Sequence, residues 1–102
     1  MNGHYRLKGH EPVPVEDARE WGRWFETSGP ERIVAQDDPI PGVQVSTVFL
    51  GLDHNFGRDG GPMLFETMVF GGELDEEQVR YSTWKEAEAG HKEMVRRVKE
   101  LS

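Results

Sequence analysis

Asp53, His54 and Asn55 lie where the longest apolar segment of the chain gives way to glycine-rich sequence. A side chain at such a strand end reaches solvent while its backbone is held by a sheet. At that place His54 has the chemistry of a general base or a metal ligand, whereas Asp53 and Asn55 are equally the residues that close a turn by bonding their own backbone. His91 is the second histidine of interest, because its spacing sets it in the apolar stripe of a helix rather than on the wet face. Packed over a sheet, that helix would bring His91 toward Glu66 or His54, completing a two-histidine and carboxylate set of the kind divalent cations accept. No HExxH or comparable short pattern is present, and the simpler expectation is a hydrogen-bonded packing histidine with no metal and no cofactor.

Three further groups carry potential chemistry. The loop GRDGG, Gly57 to Gly61, has the glycines of an anion-cradling nest and Arg58 to supply charge. It lacks the Lys-Ser/Thr ending of a phosphate loop and no helix start follows it, so a hairpin connection explains it as well. Glu73, Asp75, Glu76 and Glu77 form an acidic bend, with Asp37 and Asp38 in another turn. Such carboxylates either keep a turn solvated or imitate a polyanion and occupy a partner's basic cleft. Trp21, Trp24, Trp84, Phe56 and Tyr81 are many aromatic rings for a short chain; most belong to a core, and Trp24 is the one singled out as an anchor for a partner. Ser28, Ser46 and Ser82 stand in no nucleophile-elbow context, which leaves hydrolysis without a candidate and the expectation leaning away from an enzyme.

These residues must be positioned by one small domain, since 102 residues support a single core. There is no cysteine, hence no disulfide framework and no thiolate nucleophile. With 12 basic and 19 acidic residues the net charge is −7, which opposes generic binding to nucleic acid and to anionic membranes. No apolar run approaches the roughly 18 residues of a membrane span. MNGHYRLKGHEP lacks the apolar run of a secretory signal, and a soluble, cytoplasmic protein is expected.

Hydrophobic periodicity gives the elements. His4 to Leu7 reads as a short edge strand and KGHEPVP as a loop entering a first helix, Val15 to Glu26, on whose face Val15, Ala18, Trp21 and Phe25 recur. Gly29 and Pro30 end it. Arg32 to Gln36 reads as a strand, Asp37 to Gly42 as a turn, and Val43 to Asp53 as a central strand apolar on both sides in its distal half. Met63 to Gly72 returns as a strand, the acidic bend follows, and QVRYST supplies a fourth. Thr83 and Glu86 spell a capping box before a helix whose stripe is Trp84, Ala87, His91, Met94, Val95, Val98 and Leu101, with Gly90 allowing close approach to the sheet. The expected architecture is α+β: an antiparallel meander of three to four strands, the C-terminal amphipathic helix packed on one face, and a shorter N-terminal helix.

The segments VSTVFLGLDHNFG, LFETMVFGG and RYSTWKEAEAGH resemble a family of short uncharacterised proteins encoded by bacteriophages and prophages. The resemblance covers about the C-terminal half and assigns no catalytic or binding residue. It implies a bacterial cytoplasmic setting and an accessory role, such as binding a host protein as an inhibitor or counter-defence factor, or sequestering a small signalling molecule. The first expectation is therefore a non-enzymatic protein that binds a host protein through Glu73, Asp75, Glu76, Glu77 and Trp24. Two alternatives stand beside it: a nucleotide- or metal-binding module or small enzyme using Asp53, His54, Arg58, Glu66 and His91, and a homo-oligomeric structural protein.

Overall fold

Strict alternation of inward and outward residues makes Val43–Phe49 a strand buried on one side, and that side dictates the rest of the fold. The computed structural model describes residues 3–53 and 61–101. In chain order the elements are β1 (Tyr5–Lys8), β2 (Glu11–Pro14), α1 (Ala18–Thr27), a 3-10 turn (Gly29–Arg32), β3 (Ile33–Ile40), β4 (Val43–Phe49), β5 (Phe65–Phe70), β6 (Gln78–Tyr81) and α2 (Trp84–Glu100). The last four strands form an antiparallel meander, β3-β4-β5-β6, with β4 and β5 in the centre, and α2 packs across it. The architecture is α+β, as the periodicity predicts.

Pairing registers set which side chains meet α2. Val45 opposes Val69, Thr47 opposes Thr67 and Phe49 opposes Phe65 on one face, while Ser46, Val48, Glu66 and Met68 fall on the other. The inner face builds two clusters. Val43, Val45 and Val69 pack with Met94 and Val98 near the C-terminal end of α2; Phe49, Leu64 and Phe65 pack with Leu7 and Ala87 near its start. Phe49 and Phe65 are fully buried, each contributing on the order of 1.5–3 kcal/mol over exposure. The helix begins as predicted: the Thr83 hydroxyl accepts from the Glu86 backbone N–H at 3.1 Å, and the Glu86 carboxylate accepts from the Thr83 N–H at 3.2 Å.

The N-terminal portion departs from the sequence-based expectation. KGHEPVP is half of a hairpin: β2 pairs with β1 in a separate two-stranded sheet, turned by Gly9 at φ +63. Alternation over Glu11–Pro14 is interrupted by two prolines, which hid the strand. This hairpin docks through tertiary contacts, with His10 stacked on Trp84 at 3.7 Å and the Tyr5 N–H donating to the Gly51 carbonyl at 2.8 Å. Helix α1 starts at Ala18 rather than Val15, because Asp17 is its N-cap, accepting from the Arg19 N–H at 2.9 Å. The Trp21 indole N–H donates to the Tyr5 carbonyl at 2.8 Å, tying α1 to the hairpin.

Two boundaries in the meander also move. Asp37 to Ile40 belong to β3, and only Pro41 and Gly42 (φ +80) turn the chain, the residue pair a type II turn prefers. The register shifts between Ile33 and Ala35 and again between Asp37 and Ile40, so β3 is an irregular edge. Strand β4 ends at Phe49 because Gly51 adopts φ +79; Leu52 makes an isolated bridge to His4 and is 39% exposed, so the predicted apolar packing on both sides does not extend that far.

Candidate functional site

His91 comes from the inward stripe of α2 and reaches the middle of the sheet, where Thr47 and Thr67 place hydroxyls among apolar neighbours. Its Nδ1 lies 2.7 Å from Thr47 Oγ1, Thr47 Oγ1 lies 2.5 Å from Thr67 Oγ1, and the Tyr81 hydroxyl donates to Thr67 Oγ1 at 3.1 Å. On the other side of the ring, Nε2 lies 2.7 Å from Asp37 Oδ2, on β3. Asp37 accepts from Nε2–H when ionised, and in the neutral Nε2–H tautomer Nδ1 accepts from Thr47, Thr47 from Thr67, and Thr67 from Tyr81. Every member is satisfied by one direction of donation. A buried polar group without such a partner costs about 1–3 kcal/mol, which is why polar residues at three inward positions must find one another.

The order carboxylate, imidazole, hydroxyl is the one that activates a nucleophile. Here the hydroxyls of Thr47 and Thr67 are fully buried beneath α2, and no substrate atom can approach them. The array acts as a clamp between β3, the sheet centre and α2.

Of the candidate metal set, Glu66 and His91 are not brought together. Glu66 sits on the sheet face opposite His91 and pairs with Arg80 at 3.0 Å. Asp53 is occupied by its own chain: its Oδ1 accepts from the Met63 N–H at 3.0 Å, and its N–H donates to the Gly3 carbonyl at 2.9 Å. His54 and Arg58 lie outside the described residues. Among the described residues no three His, Asp or Glu side chains are placed to hold a metal ion. Asp37, read as a turn carboxylate, is instead the partner of His91; the sequence signal for the clamp was the inward phase shared by Thr47, Thr67 and His91.

The acidic bend takes a different form. Gly71 and Gly72, at φ +93 and +71, turn the chain after β5, and a Cβ on Gly71 would stand 2.2 Å from the Gly42 carbonyl oxygen. The bend therefore closes tightly against the β3–β4 turn. Asp75 Oδ1 accepts from the Gly71 N–H at 2.7 Å, and Glu77 lies 3.4 Å from the Arg97 guanidinium. Glu73 and Glu76 are exposed, with no side-chain partner among the described residues. Beneath the bend is an apolar cavity of about 150 Å³ lined by Ile40, Val43, Leu74, Val98 and Leu101, with Glu73 at its wall. Phe70, 47% exposed, borders a shallow groove on the neighbouring side of Val43.

Trp24 does not share this surface. It packs edge-on against Phe49 at 5.9 Å, in the cluster at the opposite end of β4. The acidic and aromatic features expected to form one patch are thus separated by the length of the strand.

Elsewhere on α2, Arg96 holds the Glu93 carboxyl below the usual carboxylate range through a direct hydrogen bond, and Arg96 also binds Glu100 at 2.5 Å. No helix among the described residues is long and apolar enough to cross a membrane. No protein-family model matches the chain, and no curated protein or solved structure matches it.

Proposed function

We propose that this chain is a non-enzymatic protein-binding module whose contact surface is the end of the molecule where the acidic bend covers the apolar cavity. One observation carries the proposal: a cavity lined by five apolar side chains adjoins a bend whose Glu73 and Glu76 carboxylates have no partner among the described residues. An apolar centre with a polar rim is the anatomy of protein interfaces. In the setting implied by the phage-like segments the partner is a host protein, and an inhibitory or counter-defence role would follow from occupying its basic cleft. The net charge of −7 favours such a partner by steering its approach.

The alternatives receive less support. A ligand site built on Glu66 and His91 would have to span the sheet, and the clamp hydroxyls are inaccessible. Strand addition at β3 is hindered by its two register shifts and Pro39, the features that protect sheet edges.

The test is capture from a bacterial host lysate by the immobilised full chain, compared with Glu73→Lys/Glu76→Lys and with Glu66→Gln/Arg80→Gln as a control on the open sheet face. Capture lost with the first variant and kept with the second supports the assignment. Identical capture by all three removes the acidic end from the account.

A further inference from the structure

We infer that the cavity beneath the bend receives one apolar side chain, of leucine, methionine or phenylalanine size, projecting from a lysine- or arginine-bearing segment of a partner protein. This rests on the binding function proposed above and specifies its chemistry. A cavity of about 150 Å³ matches the size at which a protein interior accepts a single benzene-sized group. One large apolar side chain therefore fits and two do not. Ile40, Val43, Leu74, Val98 and Leu101 offer it only carbon surface, and Leu101, 50% exposed, forms the lip.

Charge selects what flanks that side chain. Of the four bend carboxylates, Asp75 accepts from the Gly71 N–H and Glu77 pairs with Arg97, while Glu73 and Glu76 have no partner among the described residues and face the cations of the incoming segment. An acidic segment would meet those two charges and a chain of net charge −7. The site is also preformed. The Cβ-free approach of Gly71 to Gly42, together with the Glu76 N–H donating to the Val69 carbonyl at 2.8 Å, fixes the bend before any partner arrives.

The experiment is a methyl NMR titration of the full chain with blocked Lys-Leu-Lys, Lys-Ala-Lys and Glu-Leu-Glu peptides. Lys-Leu-Lys is expected to move the Leu74, Val98 and Leu101 methyl signals and to bind about tenfold more tightly than either control. Leu101→Trp, at a half-exposed position past the end of α2, should block the mouth without unfolding the chain, as a thermal melt will show, and abolish those shifts. Equal binding of the alanine peptide, or no movement up to about 10 mM of the leucine peptide, overturns the inference. So does a second copy as occupant, seen as the same shifts on raising protein concentration alone with a doubled mass. If protein capture requires Glu73 and Glu76 but Leu101→Trp captures as well as wild type, the binding function stands and this inference falls.

Discussion

Asp37 and His91, 54 residues apart in sequence, meet at 2.7 Å across the interface between an edge strand and the C-terminal helix. The pair joins an outer strand with two irregular registers to the helix that covers the sheet. The Asp37 side chain is 57% exposed whereas that of His91 is 4% exposed, so the two ends of the clamp contribute unequally.

His91→Leu keeps the bulk but strips both nitrogens, leaving the Thr47 hydroxyl buried without its acceptor. The expected loss is about 1–3 kcal/mol, read as a lower urea midpoint at unchanged slope. Asp37→Asn keeps an acceptor at the solvent-facing end and should cost under about 1 kcal/mol. Replacing the set together, His91→Leu/Thr47→Val/Thr67→Val/Tyr81→Phe, should cost less than the sum of the single changes, because no orphaned hydroxyl of the chain remains. Strict additivity would show that the hydrogen bonds do not act as a unit.

Gly90 offers a contest between two effects of opposite sign. Alanine would gain about 1 kcal/mol of helix propensity. Its Cβ, however, would lie 2.1 Å from the Tyr81 hydroxyl oxygen, displacing the ring that donates to Thr67. Gly90→Ala is expected to lower the melting temperature, and to do so less in a Tyr81→Leu background, which removes the ring carbons that would lie 2.3 Å from the new Cβ as well as the hydroxyl. A higher melting temperature would mean that α2 lifts from β6 without penalty.

Glu76 holds φ +69, a left-handed conformation that favours glycine. Glu76→Gly should therefore stabilise the fold by up to about 1 kcal/mol in chemical denaturation while weakening the proposed contact with a basic partner. A destabilised variant would show that the carboxylate, rather than the backbone, secures the bend.

Glu93 supplies the pH test. Its carboxyl is held below the ordinary range by Arg96, so the contribution is present above the unfolded-state value and disappears as pH falls through the folded one. Both side chains are well exposed, and salt screens them. Glu93→Gln should denature slightly earlier than wild type near neutral pH in dilute buffer, with the gap closing in high salt and below about pH 4. A gap that persists at low pH would point to packing rather than charge.

Period and punctuation in the sequence were enough to place the meander, the capping box and the inward stripe of α2 as far as Val98, because those depend on residues adjacent in the chain or on one face of one element. Leu101, expected in that stripe, is instead 50% exposed past the helix end. The same local signals misplaced the start of α1, where Asp17 caps rather than joins the helix, and missed β2, whose prolines mask its alternation. Expecting His91 to be a bonded packing residue followed from its phase alone; its actual partners did not. Tertiary structure chose Asp37 over Glu66, since strand alternation puts Glu66 on the far face and a register shift in β3 leaves Asp37 on the near one. It likewise separated Trp24 from the acidic bend and put an apolar cavity under Glu73. Those outcomes depend on which face and which end of a strand each residue occupies after pairing, a relation between distant segments that spacing along one segment does not encode.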